Sequence, residues 1–187
     1  MNDRPVLYSF RRCPFAMRAR WALLQAGLLV SWREIELRDK PEQMLEASPK
    51  GTVPVLVLGD DTVIDESLAV MHWAFSQGDP RDLCRQGSDE KQSCIRQLIE
   101  LNDTTFKHHL DRFKYTDRYP GESKQEHHRE GLALLRSWSQ RISDCGGWLV
   151  DAHCSLADGA IWPFVRQWRI ADSQGFDTDE ALRPLRE

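Results

Sequence analysis

Along the first eighty residues the apolar positions switch repeatedly between two periods. Residues 6–9 make a short apolar strand, and residues 14–28 repeat at helical spacing. In residues 30–37, Val30, Trp32, Ile35 and Leu37 are set among polar neighbours, which predicts a strand. A short helix over 41–47 and an apolar strand over 53–58 follow. Gly59, Asp60 and Asp61 form a turn from which residues 62–64 return, so this pair reads as a hairpin. Residues 66–76 are again helical. The predicted order β-α-β-α-β-β-α is that of a thioredoxin-like α/β domain.

The pattern then changes. Residues 77–88 are polar and hold Gly78, Asp79, Pro80 and Gly87, which reads as a linker. Beyond them strand signals vanish. Helical spacing runs over 94–113 through Ile95, Leu98, Ile99, Phe106, Leu110 and Phe113, then over 126–142 and 155–170. The expected fold class is an α/β thioredoxin-like N-terminal domain (1–78), a linker (79–87) and an all-α C-terminal domain (88–187). The first helix carries two apolar stripes: Phe15, Ala19, Ala22 and Ala26, and opposite them Met17, Trp21, Leu24 and Leu28. Two faces suit a helix held between its own sheet and the second domain; a plain core helix is the other reading. Either way its start lies near a domain boundary, where ligand clefts tend to form.

Composition narrows the class. The chain has 187 residues, 41% hydrophobic and 29% charged, enough for a core without staples. A net charge of −4 weighs against a nucleic-acid binder. No apolar run approaches the ~18 residues of a membrane span. Residues 1–10 lack the apolar core of a signal peptide, so the cytoplasm is the expected location. Cys13, Cys84, Cys94, Cys145 and Cys154 are odd in number, widely spaced and without a Cys-x-x-Cys pair. That excludes a secreted disulfide framework.

One of these thiols has an unusual position. Arg11-Arg12-Cys13-Pro14-Phe15-Ala16 follows a strand and opens a helix. Proline suits the first helical position, which places Cys13 at the N-cap. There the free N–H groups and the helix dipole favour a thiolate over a thiol, and Arg11 and Arg12 add positive charge. The alternative is a small buried cysteine without chemistry. Ala16 stands where a dithiol enzyme keeps its resolving thiol, so a reactive Cys13 needs an external thiol to release it. Pro54 opens the third strand; trans is the default, while a cis Val53–Pro54 bond would turn the Val53 backbone toward a peptide-like ligand. Asp65, Glu66 and Ser67 open the third helix, either as plain capping or as a seat for an amino-acid head.

Taken together these segments resemble cysteine-type glutathione transferases, omega-like and of bacterial type. The run Tyr8-Ser9-Phe10-Arg11-Arg12-Cys13-Pro14-Phe15-Ala16 is similar to the family's active-site stretch. Lys40-Pro41-Glu42, Pro49-Lys50-Gly51-Thr52-Val53-Pro54-Val55-Leu56 and Glu66-Ser67 match in the same order, and Ser155-Leu156-Ala157-Asp158 looks like its helical-domain capping motif. The resemblance implies the glutathione transferase fold, with Cys13 as catalytic thiol and Phe15, Lys40, Val53, Pro54, Glu66 and Ser67 binding glutathione as co-substrate. Val53 would pair with the cysteinyl part, Glu66 and Ser67 hold the γ-glutamyl head, Lys40 take the glycyl carboxylate, and Pro54 be cis. It implies a homodimer acting on a small disulfide or electrophile, by thiol-disulfide exchange, deglutathionylation or dehydroascorbate reduction. The alternatives are a transferase that conjugates glutathione to electrophiles and a non-catalytic interaction protein.

Two departures accompany the match. Cys154 and Gly159 stand where the family places a hydrophobic staple around its capping box, which predicts a less stable helix start. Residues 181–187 are too short for the further helices that wall the acceptor pocket in many members. Other candidates carry less. His108-His109 and His127-His128 are adjacent pairs whose rings point about 100° apart on a helix, so neither pair alone makes a two-ligand face, and no metal is expected. Arg18 and Arg20 read as a solvated edge. Asn102 falls within an apolar face, either as a core amide or projecting into a cleft. Tyr8 and Ser9 are rivals to Cys13 without its helix-start position.

Overall fold

The computed structural model describes residues 4–187, so the first three positions of the N-terminal reading lie outside the described residues. The chain divides into two compact units, Met1–Arg81 and Asp82–Glu187.

The first unit runs β1 (Val6–Ser9), α1 (Pro14–Gln25), β2 (Ser31–Glu34), α2 (Glu42–Ala47), β3 (Val55–Val57), β4 (Val63–Ile64) and α3 (Ser67–Gln77). The sheet order is β2-β1-β3-β4. β1 lies parallel to β2 and antiparallel to β3, with Leu7 opposite both Trp32 and Leu56. β3 and β4 form the expected hairpin, closed by the Leu58 N–H donating to the Thr62 carbonyl at 2.8 Å. Central strands carry the buried apolar residues: Leu7, Tyr8, Val55 and Leu56 are nearly inaccessible. β2 is an edge strand, and there the predicted alternation fails as a burial pattern. Ile35 is buried, while Trp32 and Leu37 are exposed. α1 packs on α3, with Trp21 edge-on to Phe75 at 5.8 Å. Its first stripe is buried at Ala19 and Ala22; the second is not, since Leu24 is 73% exposed.

The second unit is helical: α4 (Asp89–Leu101), a π-helical turn (Asn102–Phe106), α5 (Lys107–Lys114), a 3₁₀ turn (Thr116–Arg118), α6 (Lys124–Asp144), α7 (Leu156–Ala171), α8 (Ser173–Thr178) and a closing 3₁₀ turn (Glu180–Leu185). The single helix predicted over 94–113 is thus three pieces. It also starts earlier, because the Ser88 hydroxyl caps it by accepting from the Lys91 N–H. Its core is aromatic: Phe106 meets Trp138 edge-on at 4.9 Å and lies tilted on Trp168 at 5.7 Å. Gly131 lets α6 approach closely, since a Cβ there would lie 2.3 Å from the Trp168 ring. The tail is packed as well: Phe176, Leu182 and Leu185 are buried, and the last turn lies against α6.

Residues 79–87, expected as a linker, contain a buried anchor. Leu83 is buried, and the Arg85 side chain is 7% exposed. Arg85 forks onto Asp151, with Nε to Oδ2 and Nη2 to Oδ1 both at 3.0 Å. It also donates to the carbonyls of Asp82, His153 and Cys154. This holds Asp151 well below the usual carboxylate range, chiefly through the Arg85 hydrogen bonds and with help from Lys91. Just beyond, the capping box of α7 is closed despite the missing staple. Asp158 Oδ2 accepts from the Ser155 N–H at 2.8 Å and its hydroxyl at 2.6 Å, and Oδ1 accepts from the Leu149 N–H at 2.9 Å.

Candidate functional site

Cys13 is the N-cap of α1, with extended backbone (φ −75°, ψ 122°) and Pro14 immediately inside the helix. Its N–H donates to the Phe10 carbonyl, and its own carbonyl accepts from Met17, both at 3.0 Å. The sulfur, half-buried, packs on the cluster of Tyr8, Ala16, Ile35, Met44, Val53 and Val55. Sγ lies 3.7 Å from the Val53 carbonyl oxygen. The Val53–Pro54 bond is cis, as the family resemblance implied and against the default from residues alone. β3 begins only at Val55, so the Val53 peptide lies outside the strand ladder. Ala16 is fully buried; the place of a second thiol is filled by a core methyl.

Arg20 corrects the reading of a solvated edge. Its guanidinium donates to the Ser9 hydroxyl at 2.7 Å, the Phe10 carbonyl at 3.2 Å and the Arg11 carbonyl at 2.9 Å. It also lies over the Trp32 ring. Burial lowers its pKa, against the opposing effects of Glu34 and Cys13. Arg20, one and a half turns into α1, thus ties down the three residues that lead into the Cys13 loop. Arg18, unlike the partly buried Arg20, is fully buried, with its guanidinium 5.6 Å from the centre of the Phe15 ring. The rivals are occupied: Ser9 is buried on Arg20, and the buried Tyr8 accepts from Arg33 through its hydroxyl at 3.1 Å. Asn102 is fully buried; its amide nitrogen donates to Asp103 at 2.7 Å, while its Oδ1 has no hydrogen-bond partner among the described residues.

The segment 48–54 threads the other candidates together. Gly51 adopts φ +61°, and a Cβ on it would lie 3.3 Å from Lys40 Nζ, so the lysine stem crosses over bare backbone. Lys50 Nζ bridges Glu66 at 2.9 Å and Asp65 at 3.2 Å, and the Ser48 hydroxyl donates to Asp65 at 2.8 Å. Glu66 is the N-cap of α3 and Ser67, buried, its first residue. The Glu66 hydrogen bond, more than that to Asp65, raises the Lys50 pKa; the Ser48 hydroxyl is the main cause of Asp65's lowered one. Lys50, Ser48 and Arg20 were not singled out from sequence as site residues. For Lys50 a signal existed, since it lies inside the run that ends in the cis proline.

Residues 7–81 match the family described as Glutathione S-transferase, N-terminal domain. Glutathione S-transferase omega-1 of Rattus norvegicus is 29% identical over 86% of this chain and 66% of its own length. The chain is similar to glutathione S-transferases, and the family match itself covers the first unit. Glutathione S-transferase U22 of Arabidopsis thaliana is 26% identical over 73% of this chain and 63% of its own. The chain therefore spans about two thirds of the length of these curated relatives. Among solved structures, glutathione transferase Omega 3C of Trametes versicolor superposes with a TM-score of 0.79 at 22% identity, over 98% of this chain and 77% of that one. A glutathione S-transferase I bound with lactoylglutathione gives 0.76 at 20% identity, over 96% and 90%. At these identities the superpositions establish the glutathione transferase fold. No described helix is long and apolar enough to cross a membrane.

Proposed function

We propose that this chain is a glutathione-dependent thiol transferase with Cys13 as its nucleophile. The observation that carries the reading is the placing of Cys13. It caps an α-helix behind Pro14, with its sulfur 3.7 Å from the Val53 carbonyl beside a cis proline. In the cycle, the Cys13 thiolate attacks the glutathionyl sulfur of a mixed disulfide. The S–S bond breaks and the substrate leaves as its thiolate, which takes up a proton. A second glutathione thiolate then attacks the Cys13-bound sulfur, giving oxidised glutathione and free Cys13. With Ala16 in place of a second thiol, no internal resolution competes.

Phe15, Lys40, Val53, Pro54, Glu66 and Ser67 are assigned to glutathione. The Val53 backbone pairs with its cysteinyl part, and Lys40 receives its glycyl carboxylate. The first-turn N–H groups of α3 receive the γ-glutamyl carboxylate. Asp65 and Glu66 share the single ammonium of Lys50, so one negative charge stays uncompensated for the glutamyl ammonium. The lactoylglutathione-bound relative supports glutathione as the ligand class. Five cysteines without a disulfide fit a reducing cytoplasm, and the omega-like resemblance carries the assignment as a homodimer.

The test is steady-state rates with a glutathionylated disulfide and with an aryl halide, wild type against Cys13→Ser, over a glutathione series. Thiol transfer is expected to vanish in the variant. Conjugation, which needs glutathione itself as the free nucleophile, is expected to stay or rise. Thiol transfer surviving in the variant removes Cys13 from the catalytic role.

A further inference from the structure

The histidines set aside as two adjacent pairs come together differently in three dimensions. His108 and His109 lie on α5, and His127 lies near the start of α6. One ring nitrogen from each falls within 4.8 Å of the other two. His109 Nδ1 and His127 Nδ1 are 3.0 Å apart. The three ring centres stand 5.1, 5.2 and 5.5 Å from one another, close to an equilateral triangle. Against the expectation from single-helix geometry, the adjacent His108 and His109 both bring a ring nitrogen to the cluster, and the third ring arrives from the other helix.

We propose that His108, His109 and His127 form a binding site for a divalent transition-metal ion of the zinc class, each giving one ring nitrogen. Metal–nitrogen bonds of about 2.0–2.1 Å at tetrahedral angles put the nitrogens about 3.3–3.4 Å apart and the ring centres about 5.2 Å apart. The observed triangle of centres already has that size. The 3.0 Å nitrogen pair needs to open by a few tenths of an ångström, and the His108 nitrogen, within 4.8 Å of the others, closes in by rotation of its exposed ring. Among the described residues the His108 ring nitrogens make no hydrogen bond, so one ligand is uncommitted.

The surroundings orient the set as metal sites require. Glu122 Oε2 lies 2.8 Å from His127 Nε2, and the same oxygen accepts from Arg112 Nε at 2.6 Å. A carboxylate there accepts a hydrogen bond from Nε2–H and so keeps the proton on Nε2, which leaves the Nδ1 lone pair of His127 facing the other two rings. That lone pair now accepts from His109 Nδ1. Binding requires His109 to move its proton to Nε2, a tautomer change that leaves the ring neutral. Imidazole nitrogens select zinc, copper or nickel over magnesium or calcium, which prefer oxygen ligands. His108 is exposed, so the fourth position opens to water.

The experiment uses the full chain, freed of metal by chelator dialysis and titrated with zinc chloride by calorimetry. One equivalent is expected. His109→Gln and His127→Gln should each weaken it at least about tenfold, and Glu122→Gln about 10–100-fold. Cobalt(II) in place of zinc should give visible d–d bands without thiolate charge transfer, which separates this site from the cysteines. Should a histidine variant fail to fold, the wild-type protein still decides: zinc must shift the ring resonances of all three histidines. Thiolate charge transfer, unmoved ring resonances, or an affinity unchanged in His127→Gln would each overturn the proposal.

Discussion

The ion pair between Arg85 and Asp151 offers a quantitative test of the second unit. Asp151→Asn keeps the shape and removes the charge. Arg85 is then left with 7% of its side chain exposed and no carboxylate on its fork. Losing one partner of a buried pair costs about 3–5 kcal/mol. Here Asp151 is 20% exposed and three carbonyls remain on the guanidinium, so we expect the low end, about 2–3 kcal/mol. The pH dependence follows from the direction of the shift. Asp151 titrates well below its unfolded value, so its contribution is complete above the ordinary carboxylate pKa of about 3.9 and is lost as pH falls below it. Urea unfolding of both proteins, followed by far-ultraviolet circular dichroism between pH 7 and pH 3, measures this. The gap between them should narrow by about 1 kcal/mol at pH 3, since each unit of pH below the unfolded value removes about 1.4 kcal/mol. A gap under about 0.5 kcal/mol at pH 7, in the range of ordinary surface substitutions, would refute the reasoning. So would a gap that does not change with pH.

Two further outcomes are expected. Replacing Glu66 and Ser67 together by Ala should weaken glutathione binding by at least about tenfold, since each charge-assisted hydrogen bond is worth about 1.5–3 kcal/mol; a calorimetric affinity within about twofold of wild type removes them from the glutamyl site. Gly131→Ala puts a methyl group 2.3 Å from the buried Trp168 ring. It should destabilise the protein by about 1–3 kcal/mol despite alanine's better helix propensity, and a thermal midpoint at or above wild type would show that the ring yields freely.

Features written in local chemistry were legible in the sequence. Pro14 fixes the start of α1 and thereby the cap position of Cys13. Gly59, Asp60 and Asp61 give away the hairpin, and Asp61 takes the positive φ of its turn. Features that depend on distant partners were not. Alternation in residues 30–37 marks a strand but does not say whether that strand lies at an edge, where Trp32 stays exposed. An arginine that donates to backbone carbonyls has no sequence signature, because every residue offers a carbonyl. That hid both Arg20 and Arg85. The histidine triangle draws on helices whose members are 18 residues apart, and single-helix geometry cannot see it. Five residues of π-helix at Asn102–Phe106 interrupt the spacing by which one long helix was read.

The grip of Arg20 also separates what holds the loop from what reacts in it. The path of residues 9–11 is fixed by a guanidinium in the helix body, and that of Cys13 by its own backbone hydrogen bonds to Phe10 and Met17. The Cys13 side chain adds its packing on the apolar cluster and one long contact to the Val53 carbonyl. The hydrogen bonds that set the course of the loop come from its backbone and from Arg20, and none of them uses the side chain at position 13. That position is a socket, in which one atom can change from sulfur to oxygen while the scaffold stays as it is. A lineage built this way can exchange its reactive group in a single mutational step, and so move between chemistries without passing through a misfolded ancestor.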